Sequence, residues 1–214
     1  MQIFFDLDGT LINSQPRLYR LFCDMCPENN FTYEQYCDIK RQRVTQAEML
    51  KKYFQYEDAE IETFHVQWLN RVEDPDKMLQ DAPFDGITPL LERLSSRHTL
   101  YIVTNRQSRA KTLEQIKLCG WEKFFSEVLV TEQKQSKVTL AQKVLLSAGN
   151  ALWVGDTGED MRAAQTLKIP VIAVAWGVIH PDLLSGYKPD FLVDTVDDLE
   201  NVIKKHFFEG DYTI

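Results

Sequence analysis

From about residue 87 onward, helical segments alternate with short apolar strands, and this alternation limits the fold more than any other feature of the chain. Strands are predicted over residues 99–104, 127–130, 152–155, 171–175 and 191–193. Helices are predicted over residues 89–97, 108–119, 137–148, 159–168 and 196–206, and Gly120 and Gly149 end the second and third. Strands connected through helices form right-handed crossovers and a mainly parallel sheet. The sequence therefore predicts an α/β core.

Residues 15–85 follow a different pattern. Apolar residues recur there at helical spacing, for example over 18–25, and no stretch of the segment alternates convincingly as a strand does. A short apolar strand at residues 2–5 precedes this segment. We therefore expect one α/β core made of residues 1–14 and 86–214, with residues 15–85 inserted after its first strand as a helical cap.

The composition is that of an ordinary soluble globular protein. The 214 residues are 44% hydrophobic and 26% charged, and the formal net charge of −8 disfavours nonspecific binding to nucleic acid. No apolar stretch is long enough to cross a bilayer, and the N-terminus has no pattern of a secretion signal. The four cysteines are then expected to be reduced thiols, which predicts a cytoplasmic protein without nucleic-acid or membrane partners.

The strongest chemical signal is the sequence Phe-Phe-Asp-Leu-Asp-Gly-Thr at residues 4–10. Side chains two positions apart on a strand point the same way, so Asp6 and Asp8 are expected to project together from the carboxyl end of the first strand. Open α/β sheets bind their ligands at that end of the strands. Gly9 lets the chain turn away. Two carboxylates in this position favour a Mg²⁺ site over simple turn chemistry.

Two further strands are followed by polar residues. Thr104 and Asn105 come at the end of the strand over residues 99–104, and Asp156 follows the strand over 152–155, with Asp160 four positions later. Taken singly, each of these residues is also typical of helix caps and turns. Because parallel strands end at one edge of the sheet, the three strand ends together predict one site.

These motifs make the chain similar to the haloacid dehalogenase superfamily, specifically to its phosphatases with a helical cap after the first motif. Residues 6–11 match the first motif of that family, Thr104-Asn105 the second, and Gly155-Asp156-Thr157-x-x-Asp160 the fourth. The third motif requires a lysine, for which Lys137, at the start of a predicted helix, is favoured over Lys134. Within the superfamily the chain looks most like the phosphoglycolate phosphatases. The resemblance implies a Rossmann-like core carrying an inserted cap.

The resemblance also implies a reaction. Asp6 is expected to attack phosphorus and form an aspartyl-phosphate, while Asp8 protonates the leaving group and later activates water. Mg²⁺ is expected to be bound by Asp6, the backbone carbonyl of Asp8, and Asp156. The substrate is then a small phosphorylated metabolite, with phosphoglycolate as one candidate phosphomonoester.

The remaining site residues are expected to hold the phosphoryl group. Lys137, the Thr104 hydroxyl and the Asn105 backbone amide would contact its oxygens, and Asp160 would orient Lys137 or metal-bound water. Residues 15–85 would close over the site as a lid.

Two alternative functions stay open at this point. A phosphomutase would use the same aspartyl-phosphate and return the phosphoryl group to a sugar, and a binding or regulatory protein would use the fold without catalysis. The sequence does not predict the oligomeric state.

Overall fold

The computed structural model describes residues 1–207, and six of its strands form one parallel sheet. The strands in chain order are β1 (Gln2–Phe5), β2 (Ile12–Asn13), β3 (Ala82–Pro83), β4 (Thr99–Thr104), β5 (Phe125–Val130), β6 (Ala151–Gly155), β7 (Val171–Val174) and β8 (Phe191–Val193). The sheet has the order β5-β4-β1-β6-β7-β8, and every neighbouring pair in it is parallel. The predicted α/β, Rossmann-like architecture with a mainly parallel sheet is confirmed.

Eleven helices are found within residues 1–207. They are α1 (Gln15–Met25), α2 (Tyr33–Arg41), α3 (Gln46–Phe54), α4 (Asp58–Arg71), α5 (Pro75–Met78), α6 (Ile87–Ser95), α7 (Arg109–Leu118), α8 (Lys137–Val144), α9 (Gly158–Leu167), α10 (Pro181–Ser185) and α11 (Val196–Phe207). None of them is long and apolar enough to cross a membrane.

The first strand lies in the middle of the sheet and is buried on both faces. Ile3 and Phe5 belong to the hydrophobic cluster on one face, whereas Phe4 belongs to the cluster on the other. The Phe4 ring stacks with Tyr101 of β4 and Trp153 of β6, at centroid distances of 5.0 and 5.7 Å. A strand covered on both faces is a continuous apolar run, and this is why its few residues could be predicted.

The register of the central strands brings their carboxyl ends together. Phe5 of β1 is aligned with Ile102 of β4 and Val154 of β6. The backbone N–H of Asp6 then donates to the Val154 carbonyl at 2.9 Å, so the chain leaves the sheet directly after this contact.

The helices α1–α5 lie between β2 and β3, which pair with each other in antiparallel orientation. Four of them, α1–α4, contribute to a separate hydrophobic cluster, whose buried members are Phe22, Cys26, Tyr36, Met49, Leu50 and Phe64. The helical character expected for this segment is found, but the expectation that residues 15–85 contain no strand is wrong at Ala82–Pro83. The division into a core and a cap stays a prediction.

The predicted end of the helix that begins at Lys137 is also wrong. The helix was expected to continue to a stop at Gly149, but α8 ends at Val144 and Gly149 lies in a short 3₁₀ turn. Gln2 of β1 explains the early end. Its side chain donates to the Val144 carbonyl and accepts from the Leu146 N–H, both at 2.8 Å, and so replaces the next helical hydrogen bonds.

Candidate active site

A buried lysine lies at the centre of the acidic strand ends. The Lys137 Nζ is 2.8 Å from Asp6 Oδ1 and 2.8 Å from Asp160 Oδ1, and only 3% of its side chain is exposed. Lys134, by contrast, has 73% of its side chain exposed and its nearest acidic partner is Glu132 at 3.8 Å. The structure therefore brings Lys137, and not Lys134, to the carboxylates.

Lys137 is the first residue of α8, a position where a positive charge is mildly unfavourable with the helix dipole. Ser136 accepts a hydrogen bond from the Thr139 N–H at 3.1 Å and so fixes the helix start. Burial by itself would lower the pKa of Lys137, but the carboxylates of Asp160 and Asp6 outweigh burial and raise this pKa well above its usual value. Lys137 is therefore charged throughout the physiological pH range.

Three buried carboxylates surround this lysine. Asp6, Asp156 and Asp160 each offer an oxygen atom, and these atoms all lie within 4.8 Å of one another. Burial raises the pKa of Asp6 well above its usual value, against the opposing charge of Lys137. Burial and the Asp160 charge raise the pKa of Asp156 to about 7. One lysine does not offset three carboxylates, and an all-oxygen donor set of this kind fits Mg²⁺.

Two glycines allow Asp156 to approach this closely. Its Oδ1 accepts from the Thr10 hydroxyl at 3.0 Å and its Oδ2 from the Val178 N–H at 2.7 Å. Gly9 has a left-handed backbone, with φ of +86°, and a Cβ at this residue would lie 2.3 Å from Asp156 Oδ2. A Cβ at Gly177 would lie 2.2 Å from the Asp156 Cβ. The turn expected at Gly9 is confirmed, and the glycine also leaves room for Asp156.

The carboxylate of Asp8 has a different partner. Arg106 donates from Nε to Asp8 Oδ2 and from Nη2 to Asp8 Oδ1, at 2.8 Å in both cases. Burial would raise the pKa of Asp8, but the adjacent guanidinium outweighs it and lowers this pKa to about 2. The Asp8 side chain is still 31% exposed and faces the same cavity as Asp6. Sequence reasoning missed Arg106, although it directly follows Thr104-Asn105.

The carboxyl end of β4 contributes two residues to the cavity. Thr104 is the last residue of β4 and is buried, whereas Asn105 is exposed and donates from Nδ2 to Glu159 Oε2 at 2.6 Å. The Asn105 carbonyl accepts from Gln133 Nε2 at 3.2 Å. Thr104, Asn105 and Lys137 all line the cavity.

The cavity itself has a volume of about 300 Å³ and lies between the sheet edge and the helical segment. Its wall on the helical side consists of Arg17, Leu18, Leu69, Val72 and Glu73. The Arg17 side chain in this wall is paired with Asp81: its Nε lies 2.7 Å from Asp81 Oδ1. The volume suits a small metabolite.

The parallel sheet carries buried carboxylates and a lysine at one edge, as the sequence resemblance implied. The model of the haloacid dehalogenase-like hydrolases matches residues 3–174 of the chain. The chain belongs to this family, so the expected resemblance and the expected assignment as a phosphatase-type enzyme are confirmed.

Curated relatives cover the chain almost completely. The chain is 25% identical to pyrophosphatase PpaX of Oceanobacillus iheyensis in an alignment of 213 positions that covers 96% of this chain and 97% of that protein. It is 23% identical to pyrophosphatase PpaX of Listeria innocua, with 94% and 95% covered.

Solved structures share the fold. A haloacid dehalogenase-like hydrolase from Streptococcus pneumoniae superposes with a TM-score of 0.77 at 21% identity and covers 94% of this chain and 97% of that one. A predicted phosphoglycolate phosphatase from Haemophilus somnus gives a TM-score of 0.71 at 20% identity and covers 94% and 96%.

Proposed function

We propose that the protein hydrolyses a small phosphorylated metabolite in a Mg²⁺-dependent reaction that passes through an aspartyl-phosphate on Asp6. The observation that carries this proposal is the buried contact between Asp6 and Lys137 at the cavity. The lysine opposes the effect of burial on the Asp6 carboxylate and presents a cation to the phosphoryl oxygens.

The first displacement forms the phosphoenzyme. An Asp6 oxygen attacks phosphorus and the bond from phosphorus to the leaving oxygen breaks. Because Arg106 keeps Asp8 unprotonated before substrate binds, the proton arrives with the substrate as its phosphoryl monoanion, and Asp8 passes it to the leaving oxygen. Lys137, the Thr104 hydroxyl and the Asn105 backbone N–H bind the phosphoryl oxygens, where charge is spread during the transfer.

The second displacement releases phosphate. Asp8, now a carboxylate, takes a proton from a water molecule, whose oxygen attacks phosphorus while the bond to Asp6 breaks. The hydrogen bonds from Arg106 keep Asp8 in the carboxylate form that this step requires.

The carboxylates of Asp6 and Asp156, together with the backbone carbonyl of Asp8, would hold Mg²⁺, whose positive charge offsets that of the attacking carboxylate and the phosphoryl group. Asp160 would keep Lys137 oriented through its 2.8 Å contact. The helical segment of residues 15–85 would act as a lid that excludes bulk water from the cavity.

Two substrate classes are supported. The resemblance to phosphoglycolate phosphatases supports a phosphomonoester of a small acid. The relatives that carry the name pyrophosphatase, which match nearly the whole chain, support inorganic pyrophosphate as the second candidate. Both are small anions that the cavity can contain.

The test is phosphate release from a panel of phosphomonoesters and pyrophosphate, measured with and without Mg²⁺. We expect Mg²⁺-dependent turnover, a loss of at least about a thousandfold in Asp6→Asn, and an unchanged rate in Lys134→Met, which alters an exposed lysine away from the cavity. Turnover that survives in Asp6→Asn would contradict the proposed nucleophile, and turnover that is independent of Mg²⁺ would contradict the metal site.

A further inference from the structure

Arg106 is bound on two sides. On one side, its Nε and Nη2 donate to the two Asp8 oxygens at 2.8 Å each. On the other, its Nη1 donates to Gln115 Oε1 of α7. Only 5% of the arginine side chain is exposed. Because the guanidinium is planar, this paired contact fixes the direction of the Asp8 carboxylate as well as its charge.

The contacts continue from Arg106 to the helical segment. Gln115 donates from Nε2 to Asp81 Oδ2 at 3.1 Å and to the Met78 carbonyl at 2.9 Å. The Asp81 carboxylate has no solvent exposure, and its Oδ1 accepts from Arg17 Nε at 2.7 Å. Arg106 Nη2 also lies 3.7 Å from Asp81 Oδ2.

The hydrogen-bond network that begins at Arg106 ends at Asp81 and Arg17, where the chain enters and leaves the helical segment. Arg17 is in α1, shortly after β2, and Asp81 directly precedes β3. The two strands pair with each other, so they form the connection between the sheet and α1–α5. A movement of the helical segment about this connection would displace Asp81, and with it the groups that hold Arg106.

We infer that Arg106 is a positioning residue for Asp8. The buried Asp81–Arg17 pair then makes the orientation of the Asp8 carboxylate depend on the position of the helical segment relative to the sheet. This inference rests on the proposed function, since it concerns the acid–base role of Asp8. The alternative is that Arg106 binds an anionic group of the substrate. The structure favours positioning, because Nε, Nη1 and Nη2 of Arg106 each already donate to a protein oxygen.

The test is a double-mutant cycle measured as kcat and KM for 4-nitrophenyl phosphate. Arg106→Lys retains the charge but loses the paired geometry. We expect kcat to fall by roughly 10- to 100-fold, because Asp8 is misplaced, while KM changes by less than about threefold. In an Asp8→Asn background the same substitution should change kcat by less than about twofold, because the group that it positions is already gone.

A second variant tests the remote end of the network. Asp81→Asn is nearly isosteric, and Asp81 does not line the cavity. We expect it to lower kcat by roughly 3- to 10-fold with KM unchanged, and to have no further effect in Asp8→Asn. If Arg106→Lys fails to fold, as judged by circular dichroism and urea unfolding, the Asp81→Asn cycle decides the question.

Three results separate the possibilities. A raised KM with unchanged kcat in Arg106→Lys would assign Arg106 to substrate binding and overturn the inference. Equal effects with and without Asp8 would overturn it as well, because Arg106 would then act independently of Asp8. Full turnover in Asp6→Asn would instead show that the proposed function itself is wrong.

Discussion

Substituting Gly9 by alanine tests whether the turn after β1 needs a glycine in order to leave room for the Asp156 carboxylate. Two costs are expected. The left-handed backbone at φ of +86° costs a residue with a Cβ about 1–2 kcal/mol. The new Cβ would also lie 2.3 Å from Asp156 Oδ2 and 2.8 Å from Asp156 Cγ, and relieving such an overlap in a packed interior costs about 1–3 kcal/mol. The total destabilisation expected for Gly9→Ala is about 2–5 kcal/mol.

Gly120 provides the matched control. Its backbone is also left-handed, with φ of +71°, but a Cβ there would meet no atom within 4 Å. Gly120→Ala should therefore cost only the backbone contribution of about 1–2 kcal/mol. The two variants differ in one respect, which is the displacement of Asp156.

The assay is equilibrium urea unfolding combined with calorimetric titration of Mg²⁺. We expect Gly9→Ala to be the less stable variant and to bind Mg²⁺ at least about tenfold more weakly than Gly120→Ala, because the added methyl group would displace the Asp156 carboxylate, which we propose as a ligand of the metal. Equal destabilisation of the two variants with equal Mg²⁺ affinity would refute this reasoning.

Two further predictions concern buried charge. Lys137→Met should destabilise the metal-free protein by about 3–5 kcal/mol at pH 7 in urea unfolding, because it leaves buried carboxylates uncompensated, whereas Lys134→Met should change stability by less than about 0.5 kcal/mol. The penalty should shrink toward pH 5, where carboxyls with raised pKa values take up protons; a pH-independent penalty would contradict this. The hydrogen bonds from Arg93 at 2.8 and 2.6 Å lower the pKa of Glu200 to about 2, so the stability that Glu200 contributes should be present above about pH 4.5 and lost as the pH falls toward 2. Glu200→Gln should therefore lower the free energy of unfolding by about 1–2 kcal/mol at pH 7, a value discounted because Arg93 is half exposed, and by almost nothing at pH 2. Glu122→Gln, the control, should leave stability unchanged at both pH values. Equal losses for Glu200→Gln at the two pH values would rule out the ion pair as the cause.

The parts of the fold that could be predicted from sequence are those set by local pattern. The bounds of β1 and β4 follow from runs of apolar residues that are buried on both sides, and Gly9 and Gly120 both have the left-handed backbone that only glycine adopts readily. The end of α8 could not be predicted, because the side chain that replaces its hydrogen bonds belongs to Gln2, 142 residues away from Val144.

The same distinction applies to the site. The carboxyl ends of parallel strands converge by topology, so Asp6, Asp156 and Lys137 could be expected at one edge. The partner of Asp8 could not be expected, because Arg106 is held by Gln115 and by the approach of Asp81 from the far end of the helical segment. Residue spacing along the chain does not show whether the Asp8 carboxylate will contact Lys137 or Arg106.

The most direct test of the central claim is a rapid acid quench during turnover, followed by mass spectrometry of the digested protein. The proposed mechanism predicts a phosphoryl group on the peptide that contains Asp6, labile to hydroxylamine as an acyl phosphate is, and absent from Asp6→Asn. With 4-nitrophenyl phosphate, whose leaving group departs without being protonated, the label should accumulate further in Asp8→Asn, which then lacks only the base for the second displacement. Turnover without any covalent label on that peptide, in the wild type and in Asp8→Asn alike, would contradict the aspartyl-phosphate mechanism.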